Sequence, residues 1–337
     1  MTPVKMTKII FFFFAAVIGS CLFSCSNDSH NDTSETNNTK PAISLPAAPK
    51  FNADSAFAFV KAQVDFGPRV PGSLQHAKCA DYLTTKLRSF GWDVQVQTAS
   101  VFTHDIQKMN LKNIIASYNL QNPDRILLLA HWDTRPKADS DTANTDKPAD
   151  GADDGASGVG VLLEIARQIS ITKPDVGIDI LLDDLEDAGK NNDNGENSWC
   201  LGTQHWAKNP HKPGYRAMYG ILLDMVGAKN ATFPRDSGSR EYAGYIVNKV
   251  WNKAAHLGYS DYFIFKDVHG ITDDHFYINT MANIPCIDIV NMNLITEDFP
   301  QHHHRHSDNM SVIDKNTLQA VGQTVLEVVW EEQKPKK

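Results

Sequence analysis

Five stretches of this chain carry side chains able to bind a metal ion or move a proton. They are His131-Trp132-Asp133, Asp153-Asp154-Gly155, the acidic run Asp183-Asp184-Leu185-Glu186-Asp187, Asp224, and the histidine tract His302, His303, His304 and His306 with Asp308 beyond it. Carboxylate oxygen and imidazole nitrogen are the donor set of a catalytic divalent cation, and a carboxyl left outside the ligand set can serve as general acid and base. Singly, each stretch has a plainer reading. Asp153-Asp154 could cap a helix, Glu186-Asp187 could be a solvated loop, the tract could be surface histidines, and His131 could be a satisfied histidine at a strand end. Their shared position in the elements decides against four separate accidents.

Apolar runs expected as strands lie at Asp93 to Ala99, Asn113 to Tyr118, Ile126 to His131, Gly177 to Leu182, Gly220 to Met225 and Pro285 to Val290. Helical periodicity covers about 53 to 65, 73 to 90, 155 to 170, 202 to 208, 239 to 257 and 314 to 332. Apolar strands alternating with amphipathic helices predict an α/β fold, a three-layer sandwich whose mostly parallel central sheet is covered by helices on both faces. His131, the 183–187 run, Asp224 and the histidine tract all follow strand ends. Open α/β sheets bind ligands outside the carboxyl ends of their strands, so these residues are expected to form one metal site.

The first 24 residues stand apart. Met1 to Lys8 carries two lysines and no acid, and Ile9 to Leu22 is an apolar run of about 14 residues, too short to span a bilayer comfortably. This is the pattern of a signal peptide. Leu22-Phe23-Ser24-Cys25 resembles the lipobox of bacterial lipoproteins, in which the cysteine becomes the lipidated first residue; Cys21 is a competing site. The expectation is an exported bacterial lipoprotein held to the membrane at Cys25 and facing the periplasm or cell exterior. Residues 25–50 are polar and then proline-spaced, the composition of a disordered tether. A single catalytic domain is expected over 51–337, with no internal repeat.

Composition narrows the function classes. The 337 residues carry 32 Lys+Arg against 40 Asp+Glu, a formal charge of −8, which becomes −10 once residues 1–24 and their two lysines are removed. An acidic balance without basic clusters excludes a nucleic-acid surface. Beyond the signal region only Cys79, Cys200 and Cys286 remain, an odd number without a CxxC, so neither a disulfide framework nor a thiolate zinc site is expected.

The order HWD (131–133), GADDGASG (151–158), DLEDAG (184–189), LLDMVGA (222–228) and HRHSD (304–308) resembles the zinc aminopeptidases with an HxD, D, EE, D, HxxxD signature. Within that superfamily the chain is similar to glutaminyl cyclases. The supporting stretches are FGPRVPGS (66–73), SWCLGTQHWA (198–207), LLDMVGAKNATFP (222–234) and ITDDHFYINTMANIPCIDI (271–289), and the likeness spans roughly 55–333.

The resemblance implies one catalytic Zn2+ per chain, bound by Asp154, Asp187 and His304, with a fourth position open to water or substrate. Asp187 stands where the family usually has glutamate. His306 is the rival ligand, though the HxxxD spacing to Asp308 favours His304. Intramolecular cyclisation of an N-terminal glutamine needs a proton taken from the α-amine and one given to the departing ammonia. Glu186, next to Asp187, suits that shuttle, and by resemblance Asp224 and Asp273 join it in an acidic network. Trp199, Ile271 and Phe299 are implied as pocket walls, with His303 replacing an aromatic one. The implied partners are peptides or proteins with N-terminal glutamine. Two rivals stay open: a two-zinc aminopeptidase, because His131 and Asp224 could be second-site ligands, and a catalytically silent tethered binding module.

Overall fold

A computed structural model describes residues 47–104, 106–190 and 198–333. Helices α1 (Ala53–Val64) and α2 (Leu74–Ser89) lead into strands β1 (Asp93–Phe102), β2 (Lys108–Tyr118) and β3 (Arg125–His131). Helix α3 (Ala156–Thr172), β4 (Gly177–Asp183), α4 (Leu201–Lys208), β5 (Tyr219–Asp224) and β6 (Phe233–Asp236) follow. The chain ends with α5 (Ser237–His256), β7 (Phe263–Val268), α6 (Asp274–Thr280), β8 (Cys286–Val290) and α7 (Lys315–Glu331). Caps explain several helix starts: Asn52, Ser73, Asp236 and Asp314 each accept a backbone N–H of the first turn.

One six-stranded sheet, ordered β1-β2-β4-β3-β5-β8, organises the molecule. The β4-β3-β5-β8 block is parallel, while β2 pairs antiparallel with both of its neighbours. Only β2 therefore runs against the rest. Strands β3, β4, β5 and β8 are buried along their whole length, as parallel strands must be when helices cover both faces.

The two-residue alternation of each strand divides the core. Ile126, Leu128 and Ala130 face a thick layer that includes residues of α1, α2, α3, α5 and α7. Leu127, Leu129, Leu181 and Leu222 face a thinner one containing Trp206 of α4 and Ile278 of α6. The expected three-layer α/β sandwich is present.

Three elements were not expected. Strands β6 and β7 form a separate parallel pair, and α6 is a seven-residue helix whose buried face includes Asp274, His275 and Asn279. The signal peptide read at 1–24, both candidate lipidation cysteines, and the tether up to residue 46 lie outside the described residues. Among the described residues no helix is long and apolar enough to cross a membrane. Cys79, Cys200 and Cys286 are free and buried, as their number and spacing suggested.

Candidate metal and catalytic centre

Strand register delivers the chemistry. His131 ends β3 beside Asp183 at the end of β4, and Asp224 ends β5 beside Val290 of β8. The turns after these strands then bend sharply. Leu185 (φ 59°), Cys200 (φ 56°), Met225 (φ 49°) and His304 (φ 56°) all adopt left-handed backbone, a conformation that costs free energy in non-glycine residues and clusters at functional sites. Gly155, which opens α3, has φ +95°, and a Cβ there would lie 2.6 Å from the Asp133 carbonyl oxygen and 3.1 Å from the His131 ring. Only glycine lets this loop approach β3 so closely.

The three side chains implied as metal-binding converge. His304 Nε2 lies 3.0 Å from Asp187 Oδ1 and 3.8 Å from Asp154 Oδ2. Donor atoms of His131, Asp154 and Asp187 all fall within 4.8 Å of one another. Tetrahedral zinc, with ligand bonds near 2.0–2.2 Å, sets its donors about 3.3–3.6 Å apart. Asp187 Oδ2 is buried without a hydrogen-bond partner, an orphan that a cation would satisfy. Two carboxylates and one imidazole at these separations fit a divalent ion. Burial alone would raise the pKa of Asp154, but His131 and then His304 outweigh it and hold this carboxyl well below the usual range. The rival His306 is elsewhere: its Nδ1 and backbone N–H lie 2.8 and 3.0 Å from Asp141 Oδ2.

Backbone hydrogen bonds brace every turn that carries these groups. Asp308 accepts from the amides of Asp153 (2.7 Å) and Asp154 (3.1 Å), which is the physical content of the HxxxD spacing. Asp133 accepts from the amides of Glu186 (3.2 Å) and Asp187 (3.4 Å). Arg69, fully buried, donates to the carbonyls of Asp150 and Gly151. Arg135 donates to the carbonyls of Asp187 (2.9 Å) and Gly189 (2.8 Å). Hydrogen bonds to the backbone beside a ligand fix how a metal-binding side chain points. Sequence reasoning missed Arg135 and the bracing roles of Asp133 and Arg69. The only signal was their presence within quoted motifs or two residues beyond one.

Around the centre lies an excess of buried carboxyls. Glu186 has one oxygen, Oε1, 3.4 Å from Cys200 Sγ and the other, Oε2, 3.9 Å from His131 Nδ1. Donor atoms of Glu186, Cys200 and Asp273 lie within 4.8 Å of one another. Asp224 Oδ1 is 3.3 Å from His131 Nε2, and Asp273 caps α6. Burial, then the charge of Asp187, pushes the Glu186 carboxyl well above its ordinary range; burial, and after it the charge of Asp273, does the same for Asp224. Asp274, behind them, is raised to about 6 by burial and by Asp273. So many carboxyls cannot all ionise in one buried space, and the group retains protons.

The residues implied as pocket walls gather on one flank. The Trp199 ring lies nearly parallel to that of His304, centroids 5.9 Å apart, and the Arg135 guanidinium sits 4.6 Å from the Trp199 ring centre. His303 stacks on His304 at 3.6 Å and touches Phe299 at 4.4 Å. Ile271 and Phe299 pack against Met225, Val268, Val290 and Met292 at the same sheet edge. The ten residues that the resemblance implied as metal-binding, catalytic or pocket-lining therefore lie at or beside one centre, whereas His306 does not.

Comparison with known proteins accords with this geometry. The profile of peptidase family M28 matches residues 113–329. A solved Zn-dependent exopeptidase from Parabacteroides distasonis is 51% identical, with a TM-score of 0.82 over 85% of this chain and 100% of that one. Porphyromonas gingivalis glutaminyl cyclase shows the same identity, TM-score and coverage. The glutaminyl-peptide cyclotransferase of Drosophila melanogaster is 27% identical over 274 residues, 74% of this chain and 73% of that protein. The family match covers more than half of the sequence and includes His131, Asp154, Glu186, Asp187, Asp224 and His304. The chain belongs to peptidase family M28.

Proposed function

We propose that this protein cyclises the N-terminal glutamine of peptides and proteins to pyroglutamate, releasing ammonia, with one zinc ion held by Asp154, Asp187 and His304. The observation that carries the reading is the convergence of His304 on Asp187 and Asp154 beside a further carboxyl, Glu186, in a chain about half identical to a bacterial glutaminyl cyclase. Bound there, zinc would act as a Lewis acid toward the γ-amide carbonyl oxygen.

The remaining work falls to side chains. Glu186, Asp224 and Asp273 attract the substrate's α-ammonium and receive its proton, leaving a free amine. As the α-nitrogen forms its bond to the γ-amide carbon it gives up a second proton to Glu186, and as the old carbon–nitrogen bond breaks Glu186 passes that proton to the nitrogen that leaves as ammonia, the first proton staying with the acidic group. Trp199, Phe299 and His303, with Ile271 behind them, suit a small, partly apolar pocket that holds the glutamine side chain curled toward its own amine. Freezing that conformer contributes rate because the attack is intramolecular. A peptide with a blocked N-terminus cannot react.

The protein removed from its metal by chelation should release no ammonia from a glutamine-initiated peptide and should recover with one equivalent of zinc. A second reading, a two-zinc aminopeptidase, draws on one observation: His131 Nε2 lies 3.1 Å from Asp154 and 3.3 Å from Asp224, spacings suited to a second ion. Two tightly held zinc ions per active chain would favour it. Retention of Glu186 beside a complete ligand set separates both enzymes from a silent binding module. The N-terminal pattern supports placement as a lipoprotein anchored at Cys25, outside the cytoplasmic membrane.

A further inference from the structure

Cys200 is a fully buried thiol that the chemistry above leaves unused. It sits between Trp199, beside His304, and Leu201, the first residue of α4. Its backbone is left-handed, φ 56°, so the chain turns abruptly there. Two backbone hydrogen bonds clamp this turn to the acidic loop: Cys200 N–H to the Glu186 carbonyl at 3.1 Å and Leu201 N–H to the Leu185 carbonyl at 3.0 Å. The packing is close, since a Cβ on Gly202 would lie 2.1 Å from the Asp184 carbonyl oxygen. The thiol is thus brought to Glu186 Oε1 by the fold itself, at 3.4 Å.

We propose that Cys200 is a positioning residue for the cyclisation reaction, its thiol holding Glu186 Oε1 so that Oε2 is the oxygen presented to substrate. This rests on the cyclase reading for its catalytic consequence. A glutamate carboxyl turns freely about its last torsion. Held at one oxygen, it keeps the other in a fixed place, on the side nearer His131. Burial, and then the charges of Asp274 and Glu186, keep the thiol protonated and therefore a donor. The bond is modest because sulfur donates weakly, so its loss should loosen the shuttle without destroying the site.

The test compares Cys200→Ala, which removes the donor, with Cys200→Ser, which keeps one. With a glutamine-initiated peptide, kcat of Cys200→Ala should fall on the order of three- to tenfold, as expected for losing one modest orienting hydrogen bond. KM and zinc content should stay unchanged, and Cys200→Ser should recover most of the loss. Both variants lose similar volume, so a purely structural role would lower their melting temperatures and activities together. Equal kcat values for the two variants, or a wild-type kcat in Cys200→Ala, would overturn the proposal.

Crystal structures of the wild type and Cys200→Ala provide an arm independent of turnover. Glu186 should keep one orientation in the first and rotate or split in the second; an unmoved carboxyl would overturn the proposal. A wild-type protein that releases no ammonia defeats the cyclase reading, while the crystallographic comparison still decides the positioning claim.

Discussion

In the proposed reaction, adjacent carboxyls at 186 and 187 divide metal binding from proton transfer, and they point in different directions. Asp187 approaches His304 at 3.0 Å, whereas Glu186 turns toward Cys200 and His131. Glu186→Gln keeps the side-chain size and removes the titrating group. It should retain zinc and fold while turnover falls on the order of 100- to 10,000-fold, as measured by ammonia release alongside elemental analysis. Near-normal turnover in a zinc-replete variant would move the base to Asp273. The candidate metal-binding residues were legible because ordered motifs of ligand-type residues appear directly in sequence. The HxxxD spacing favoured His304 over His306, and the contact of His306 with Asp141, 165 residues away, places His306 apart from the other candidates. Bracing by Asp133, Arg69 and Arg135 was not legible, since bonds to backbone carbonyls and amides leave no pattern in residue types.

At the scale of elements, the loop before α3 tests how closely the ligand turns must pack. Gly155→Ala introduces a Cβ 2.6 Å from the Asp133 carbonyl at φ +95°. The variant should lose about 1–3 kcal/mol of stability from the strained backbone alone and bind zinc more weakly, measured by denaturant midpoint and metal titration. On the face away from α3, His211 reports on the α4 layer. Its Nδ1 accepts from Trp206 Nε1 at 3.3 Å, and burial lowers its pKa to about 4. The unfolded chain, with a histidine pKa of about 6.5, then binds more protons than the folded one between these values. Stability should therefore be fully present above about pH 6.5 and decline toward pH 4. His211→Gln should show a shallower decline in urea midpoints over that window; an unchanged slope would remove His211 from the acid sensitivity. The long elements were legible from apolar period and caps. Strand β6 was not, being four residues long with Pro234 inside it, and α6 was not, because it buries Asp274, His275 and Asn279 where an amphipathic pattern calls for apolar residues.

At the scale of the whole molecule, we propose from the N-terminal pattern that the enzyme works on a tether, where peptides arrive with free N-termini. We propose that lipidation at Cys25 is the element that retains the protein in the membrane. Cys25→Ala should shift it from the membrane to the soluble exported fraction on cell fractionation. Complete retention in membranes would transfer the anchor to Cys21 or to an uncleaved leader. The mostly parallel sheet and its two helical layers were foreseeable in kind, because whole-strand burial and helical period are global features of the sequence, whereas the strand order was not. The division into a thick and a thin layer was not, since it depends on which crossovers pass over which face. The central claim is the reaction itself, and one mass spectrum addresses it: the zinc-loaded protein incubated with a short glutamine-initiated peptide. The account predicts a peptide lighter by one ammonia and no free glutamine; free glutamine with a peptide one residue shorter would contradict it.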